Sequence, residues 1–214
     1  MLSKGVNMKE PEEYEKRRRL IQAAKEEFLE KGYSKASLRT ICSKAGVTTG
    51  ALYFFFENKE DLFNAIVSGP LAELKTILRE HFKEDMASMK DMPVPDNLKG
   101  LELNHDDVTT RFAGCIYGNY DAFMILLTGS ENTMYENVVD DFVDEMEKLI
   151  PPMISSLRGY TCDKFMSHWM AHISADAYIH VIKHIRDPKV AIEKLCSITN
   201  YLVKGWIELA TVKA

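Results

Sequence analysis

Five side chains that can bind a metal ion follow one another at intervals of four residues: His168, His172, Asp176, His180 and His184. Histidines four residues apart share one face of a helix, and an adjacent pair can chelate zinc or nickel. Each step of four residues rotates the row by about 40° around the helix, so the five cannot meet at one ion. The row is therefore either a two-histidine metal site or a set of polar positions, with His168 and His172 beside a pocket.

Signatures of other chemistry are missing from the sequence. It has no phosphate-binding glycine loop, no His-Glu-x-x-His motif and no nucleophile elbow, so we expect neither a cofactor nor a catalytic site. The four cysteines form no Cys-x-x-Cys pair, which fits a reducing compartment rather than a disulfide framework. The longest apolar run, Ala122 to Leu127, is far too short to cross a bilayer, and Met1 to Lys9 lacks a signal core. We expect a cytoplasmic protein.

Methionine and aromatic residues are frequent after about Leu71. Such side chains can line a pocket that adapts to apolar ligands, although each one taken singly is equally suited to an ordinary core. The predicted ligand-binding residues are Phe112, Tyr117, Tyr120, Met124, Phe142, Met146, His168, Trp169 and His172.

Residues 37–56 combine hydroxyl groups and glycines with two short apolar patterns. The pattern predicts one short helix from Ser37, a plausible N-cap, to Ala45 and a second from about Thr48 to Phe56. Gly46 would take the turn between them, and Leu52 would fill the space beneath. This arrangement is a helix-turn-helix, in which the start of the second helix reaches base edges in the major groove.

The remaining segments also indicate helices, and no strand pair is predicted. Pro70 is expected to kink or end the helix that Asn58 caps, and the segment from Asp91 to Gly100 is expected to be a loop. The other predicted helices cover 14–31, 106–127, 131–157 (disturbed at Pro151 and Pro152), 161–185 and 188–212, the last capped by Asp187.

Charge is distributed unevenly along the chain. The net charge is −5, yet residues 1–61 carry 12 Lys and Arg against 10 Asp and Glu. A small positive surplus at one end of an acidic protein suits contact with phosphate there.

The stretch from Gly46 to Tyr53, followed by Phe56 and by Lys59 to Leu62, resembles the signature of the tetracycline-repressor (TetR) family of transcriptional regulators. The resemblance covers residues 14–66 by motif and the remainder by length and helical character. It implies an all-α fold, with a three-helix helix-turn-helix DNA-binding domain at 10–66 and a larger helical ligand-binding and dimerisation domain at 67–214.

The resemblance also implies a function: a regulator that binds double-stranded operator DNA as a homodimer and is released by a small, largely apolar effector. The final two helices would pair with those of a second copy, and the two recognition helices would stand about 35 Å apart, one turn of DNA. On binding of the effector, the helix capped by Asn58 would shift, with Gly69 and Pro70 as its hinge.

The implied DNA contacts fall on three groups of residues. The first group opens the first helix of the motif. The second lies on the recognition helix, where Gly50 would let the backbone approach the duplex and the Tyr53 hydroxyl would contact phosphate. The third is Lys59, at the start of the next helix. The predicted set is Ser37, Arg39, Thr40, Thr48, Thr49, Gly50, Ala51, Tyr53, Phe54, Phe55 and Lys59.

Phe54 and Phe55 depart from the family pattern, which has a polar aromatic residue at one of these two positions. A phenyl ring cannot hydrogen-bond phosphate, although it can contact a thymine methyl group. A helical adaptor that has lost DNA binding therefore stays open as an alternative. The histidine row leaves a second alternative open, a helical metal-dependent enzyme.

Overall fold

The computed structural model describes residues 11–91 and 105–213. Helices dominate these residues, which confirms the all-α class. In chain order the elements are α1 (Pro11–Lys35), α2 (Leu38–Ala45), α3 (Thr49–Phe55), α4 (Lys59–Asp91), α5 (Asp106–Gly118), α6 (Tyr120–Gly129), α7 (Val138–Ser156), β1 (Tyr160–Cys162), α8 (Lys164–His184), α9 (Pro188–Ala210) and β2 (Thr211–Lys213). The chain forms two compact units: unit 1 comprises Met1–Leu71 and Asn119–Glu136, and unit 2 comprises Ala72–Gly118 and Asn137–Ala214.

Unit 1 is built around α1, which packs against α2 and α6. Leucine, isoleucine and phenylalanine at helical spacing bring apolar side chains to one interior, because such spacing places them on one face of each helix. Its fully buried large side chains include Leu20, Phe28, Ile41, Leu52, Leu62, Phe63 and Ile125.

The crossing of α1 and α6 depends on two glycines. Gly32 has φ 69°, a left-handed conformation that glycine adopts without strain, and it interrupts the regular geometry of α1 just after residue 31, where the predicted helix ends. A Cβ on Gly129 would lie 3.1 Å from Cα of Gly32 and 3.3 Å from the carbonyl oxygen of Phe28. The two helices therefore approach at a distance that a side chain at residue 129 would prevent.

Unit 2 contains the larger apolar core. Leu78 and Phe82 of α4, with side chains of α7, α8 and α9, form a cluster in which Ile154 and Leu157 are almost fully buried. A smaller cluster joins α5, α8 and α9 around Leu195. Asp187 accepts hydrogen bonds from the amides of Lys189 and Val190, which confirms it as the N-cap of α9.

Several predicted elements have different limits in the structure. The predicted helix over 106–127 breaks at Asn119, after which α6 joins unit 1. The predicted helix over 131–157 begins only at Val138, and it continues through Pro151 and Pro152. The predicted loop over 91–100 lies outside the described residues, except for Asp91, which ends α4.

Pro70 lies inside α4 and does not end it. α4 runs from Lys59 to Asp91 as one element, and the limit between the two compact units falls just after the proline, between Leu71 and Ala72. Proline has no N–H to donate to the carbonyl of Ile66, so α4 lacks one hydrogen bond of its ladder at this point. The predicted division into a DNA-binding domain at 10–66 and a ligand-binding and dimerisation domain at 67–214 stays a prediction.

The sequence predicted no pair of strands, and this prediction is wrong because the structure contains one short pair. β1 and β2 pair in antiparallel register, with Tyr160 opposite Lys213 and Cys162 opposite Thr211. The two strands have three residues each, too few for a pattern of alternating burial to show in the sequence.

Candidate nucleic-acid interface

The helix-turn-helix formed by α2 and α3 is held by local caps. The Ser37 hydroxyl accepts a hydrogen bond from the Thr40 amide at 3.4 Å, and the Thr48 hydroxyl accepts one from the Ala51 amide at 3.2 Å. Gly46 adopts φ 65°, ψ 38° between the helices and donates its amide to α2 carbonyls. The predicted Ser37 cap and Gly46 turn are confirmed, and with the Thr48 cap they set the direction in which α3 leaves the turn.

α3 is anchored to unit 1 by one side. Leu52 is its buried residue, and Phe56, which follows the helix, is also buried. The opposite side is open to solvent, with Tyr53 55% exposed and Phe54 58% exposed. Thr48, Thr49 and Gly50 at the start of the helix are exposed as well. The arrangement presents the predicted recognition surface outward rather than against the protein's own core.

Gly50 is not required by the fold of the protein. A Cβ built at this position would meet only the Thr48 hydroxyl oxygen, at 3.9 Å, which is ordinary van der Waals contact. The backbone there is not in the left-handed region either. Internal packing and backbone geometry leave room for alanine, so the fold of the chain does not account for a glycine at this exposed position.

The two phenylalanines that depart from the family pattern occupy different environments. The rings of Phe54 and Phe55 meet edge to face, with centroids 4.9 Å apart. Phe55 is half-buried and lies next to Phe56, whereas Phe54 projects into solvent. Phe54 is therefore the one of the pair that is placed to touch a thymine methyl group.

Other predicted contact residues of the motif vary in exposure. Arg39 is exposed on α2, while Ser37, Thr40 and Ala51 are half-buried. Arg19 of α1 was not predicted. It is exposed, and its guanidinium lies near the turn, since a Cβ on Gly46 would meet its Nη1 atom at 3.4 Å. The run of basic residues at 16–19 was the sequence signal for this position.

Lys59 has a role that differs from the predicted phosphate contact. Its ammonium donates to the carbonyl of Tyr33 at 2.7 Å and to that of Ala36 at 3.3 Å, and it lies 4.3 Å from the centre of the Tyr33 ring. Burial lowers the pKa of Lys59. The side chain thus satisfies carbonyl groups at the end of α1 and ties the start of α4 to them.

Glu27 is a buried carboxylate that sequence reasoning missed. It accepts hydrogen bonds from Lys31 at 2.9 Å, from Lys44 at 3.1 Å and from the Ser37 amide at 3.3 Å. The hydrogen bond from Lys31 is the main cause that holds the pKa of Glu27 below its usual value, and Lys44 and Ser37 act in the same direction. Glu27 therefore joins α1 to both ends of α2. Lys44 on α2 and Ser37 at the cap of α2 lie 17 and 10 residues from Glu27 along the chain, so no local sequence pattern indicates these contacts.

The predicted ligand-binding residues do not all belong to one unit. Tyr120 and Met124 lie on α6 of unit 1, and the rest lie in unit 2. Within unit 2, Phe112 packs edge to face against Phe142 and Tyr178. Met146 and both of these phenylalanines are half-buried against the large core, which is equally consistent with a core and with a pocket lining.

The other predicted ligand residues of unit 2 have more polar or more exposed surroundings. The Tyr117 hydroxyl donates to the carbonyl of Ile185 at 2.7 Å. Trp169 is 42% exposed, and His168 forms a 2.5 Å hydrogen bond with Glu147. A separate cleft of about 390 Å³ is lined by charged side chains: Lys75, Arg79, Asp141, Asp144, Glu145 and Lys148. It is therefore not the apolar pocket that the sequence predicted.

The histidine row of α8 divides into two adjacent pairs, as its geometry requires. The rings of His168 and His172 are 4.5 Å apart, and those of His180 and His184 are 4.2 Å apart. Glu147 of α7 joins the first pair, giving three possible ligand atoms within 4.8 Å of one another. A second such group, His81, Asp85 and His105, also lies in unit 2.

The fold and the exposed second helix define a helix-turn-helix protein. Residues 20–66 match the family model of bacterial regulatory proteins of the tetR family. The match lies on the segment that carries the predicted motif, and it covers about a fifth of the chain. No helix among the described residues has both the length and the apolar character needed to cross a membrane.

Similarity to individual proteins is concentrated in the same module. The HTH-type transcriptional repressor BepR of Brucella suis biovar 1 is 45% identical over 53 residues, 25% of each chain. This chain thus covers about a quarter of that relative's length.

Two solved structures share the fold more widely. A transcriptional regulator (TerR/AcrR family) from Aquifex aeolicus VF5 is 22% identical, with a TM-score of 0.59 over 87% of this chain and 99% of its own. A gamma-butyrolactone receptor (ArpA like protein) is 20% identical, with a TM-score of 0.53 over 91% of this chain and 89% of its own. At these identities the likeness concerns the fold.

Proposed function

We propose that this chain is a transcriptional repressor that binds operator DNA through α3. The single observation that carries the proposal is Gly50, a glycine that the protein's own packing does not require, at the start of an exposed helix. Beside it, Tyr53 offers a hydroxyl group and Phe54 an apolar edge to a duplex. The proposed contact residues are Ser37, Arg39, Thr40, Thr48, Thr49, Gly50, Ala51, Tyr53 and Phe54, with Arg19 in addition. Lys59 and Phe55 are left out because they face the protein.

A homodimer is the proposed binding state, with α8 and α9 as its interface. Large apolar side chains on these two helices are exposed in the single chain: Phe165 is 71% exposed, Tyr201 78% and Leu209 64%. Exposed apolar groups of this size are uncommon on a monomer and are typical of a surface that another chain covers. Two copies related by a two-fold axis would present two recognition helices to successive major grooves.

The effector is proposed to be a small, largely apolar molecule bound in unit 2. The aromatic group of Phe112, Phe142 and Tyr178, with Met146 nearby, offers adaptable apolar surface. α4 begins four residues after α3 ends and continues into unit 2, so a shift of α4 would act on the recognition helix directly. Gly69 and Pro70, at the limit between the two units, are the proposed hinge.

The test of DNA binding uses a duplex that the purified protein selects from a randomised pool. Fluorescence anisotropy at several salt concentrations gives the affinity and its salt dependence. We expect affinity to fall steeply with salt, because each neutralised phosphate contributes about 0.9 to the logarithmic slope. Arg39→Ala should reduce that slope by about 1, and the control Lys83→Ala, an exposed lysine of unit 2, should leave it unchanged.

A slope near zero would refute the repressor function and favour a helical adaptor. No catalytic role is proposed, and the family model that matches residues 20–66 describes regulatory proteins. The pairing of His168 with Glu147 by a short hydrogen bond accounts for that part of the histidine row without an enzymatic function.

A further inference from the structure

The cluster of His81, Asp85 and His105 brings three metal-binding groups together from two separate segments of unit 2. His81 and Asp85 lie one turn apart on α4, and His105 directly precedes α5. Nε2 of His105 lies 3.3 Å from Oδ2 of Asp85, and Nε2 of His81 lies 3.4 Å from the same oxygen. The three ligand atoms all lie within 4.8 Å of one another.

These distances match the edge of a metal coordination polyhedron better than a hydrogen bond. Bonds of about 2.0–2.1 Å from zinc to nitrogen and oxygen place two tetrahedral ligands about 3.3 Å apart. A good hydrogen bond between an imidazole nitrogen and a carboxylate oxygen is about 2.7–2.9 Å long. Both imidazole nitrogens thus stand at ligand-to-ligand distance from the Asp85 oxygen, and they lie within 4.8 Å of each other.

The two histidine rings are protected from solvent. His105 is 6% exposed, and its ring meets that of His81 edge to face with centroids 5.0 Å apart. Nδ1 of His105 is buried and has no hydrogen-bond partner among the described residues. The long contact with Asp85 is the polar interaction found for this ring, so a buried imidazole is incompletely satisfied. Its backbone is fixed, because its carbonyl accepts the Thr109 amide at 2.9 Å.

We propose that His81, Asp85 and His105 form a binding site for a divalent transition-metal ion, with Zn²⁺ as the best-fitting ion. Two imidazoles and one carboxylate suit zinc better than magnesium or calcium, which prefer sites made of oxygen. Three protein ligands leave a fourth position for water or an exchangeable group. Arg111, whose positive charge acts on His81, is itself paired with Glu80 at 3.0 Å. The ion would join α4 to the start of α5.

The second cluster in unit 2 provides a matched comparison. Glu147, His168 and His172 have the same composition of one carboxylate and two imidazoles. His168 is 54% exposed, however, and its nitrogen already forms a 2.5 Å hydrogen bond with Glu147. An ion there would compete with water and with that bond, so the sheltered cluster is the one that should bind more tightly.

The experiment titrates Zn²⁺ into the full, untagged chain after treatment with a chelator, in competition with a chromophoric chelator. We expect one tight ion per chain. His105→Gln and Asp85→Asn should each weaken it by about a hundredfold or more, since even outer partners of metal ligands cost 10–100-fold. The double variant His168→Gln with His172→Gln should keep the tight ion. Circular dichroism and the metal-free melting temperature establish whether each variant folds. If His105→Gln does not fold, Asp85→Asn, which keeps the shape of the side chain, decides the result.

Two results would overturn the proposal. One is wild-type protein with no stoichiometric tight ion, or Asp85→Asn protein that binds zinc as the wild type does. The other comes from Co²⁺ in place of Zn²⁺: a thiolate-to-cobalt charge-transfer band that disappears with a cysteine substitution would assign the ion to one of the four free cysteines. Neither readout involves DNA, so the metal site and the repressor function succeed or fail separately.

Discussion

Replacement of Gly50 by alanine separates the stability of the protein from its binding of DNA. The added methyl group finds no atom of the chain closer than the Thr48 hydroxyl oxygen at 3.9 Å. Alanine is the better helix former, so the free energy of unfolding should rise by about 0.5–1 kcal/mol. A substitution that stabilises the fold and impairs function has to act on something outside the fold.

The expected loss of DNA affinity follows from the size of the methyl group. A Cβ stands about 1.5 Å from Cα. If the backbone at residue 50 touches the duplex, α3 must move outward by a similar distance. Hydrogen bonds of about 2.9 Å to phosphate or base edges would then exceed about 3.5 Å and be lost. One such bond to a charged group is worth about 1.5–3 kcal/mol, which corresponds to at least about a tenfold weaker complex.

The assay is fluorescence anisotropy with the selected duplex, alongside chemical denaturation of the same preparations. Gly114→Ala is the matched control, because Gly114 is an exposed glycine on α5 and a Cβ added there would find nothing within 4 Å. It should show a similar gain in stability with unchanged DNA affinity. Wild-type affinity in Gly50→Ala would refute the reasoning that a duplex approaches the backbone of α3.

Three further substitutions test the groups that position the helix-turn-helix. Glu27→Gln should lower the free energy of unfolding by about 1.5–3 kcal/mol at neutral pH, as it removes charge-assisted hydrogen bonds. Because the folded-state pKa of Glu27 is lowered, its contribution is complete above the unfolded value of 4.5 and is lost as pH falls through the folded value. In denaturation experiments, the difference in stability between Glu27→Gln and wild type should therefore be smaller below pH 4.5 than at about pH 7. The control Glu30→Gln changes a side chain that is 63% exposed and should be nearly neutral at both pH values. Lys59→Met should lower the free energy of unfolding by about 1–3 kcal/mol and leave the salt slope of DNA binding unchanged. A slope reduced by about 1 would show instead that Lys59 contacts phosphate, as the sequence predicted. If Gly69 and Pro70 form a hinge, Pro70→Ala should shift DNA affinity by about tenfold, which lies within the roughly 1–3 kcal/mol typical of coupling between sites. Unchanged affinity in the anisotropy assay would contradict the hinge.

Local chemistry was readable in the sequence wherever the interacting groups are close along the chain. Ser37, Gly46 and Asn58 cap or turn helices through bonds to residues at most four positions away, and each has its predicted role in the structure. Leu52 was predicted to lie beneath the turn and is fully buried. The caps, the turn and the buried leucine of the helix-turn-helix were thus predictable from the sequence.

Contacts between distant residues required the tertiary structure. The side chains of Glu27 and Lys59 have partners 10 to 26 positions away, and whether a lysine at a helix start faces a phosphate or the carbonyls of another helix is decided by how the helices pack. After the break at Asn119, α6 belongs to unit 1, where Gly129 lies against Gly32, a residue 97 positions earlier in the chain. His105 shows no spacing relation to His81 and Asp85 that a periodic pattern could reveal. Sequence periodicity determines which face of a helix is apolar, but the partner of that face is selected by packing, and only packing brings separate segments to one site.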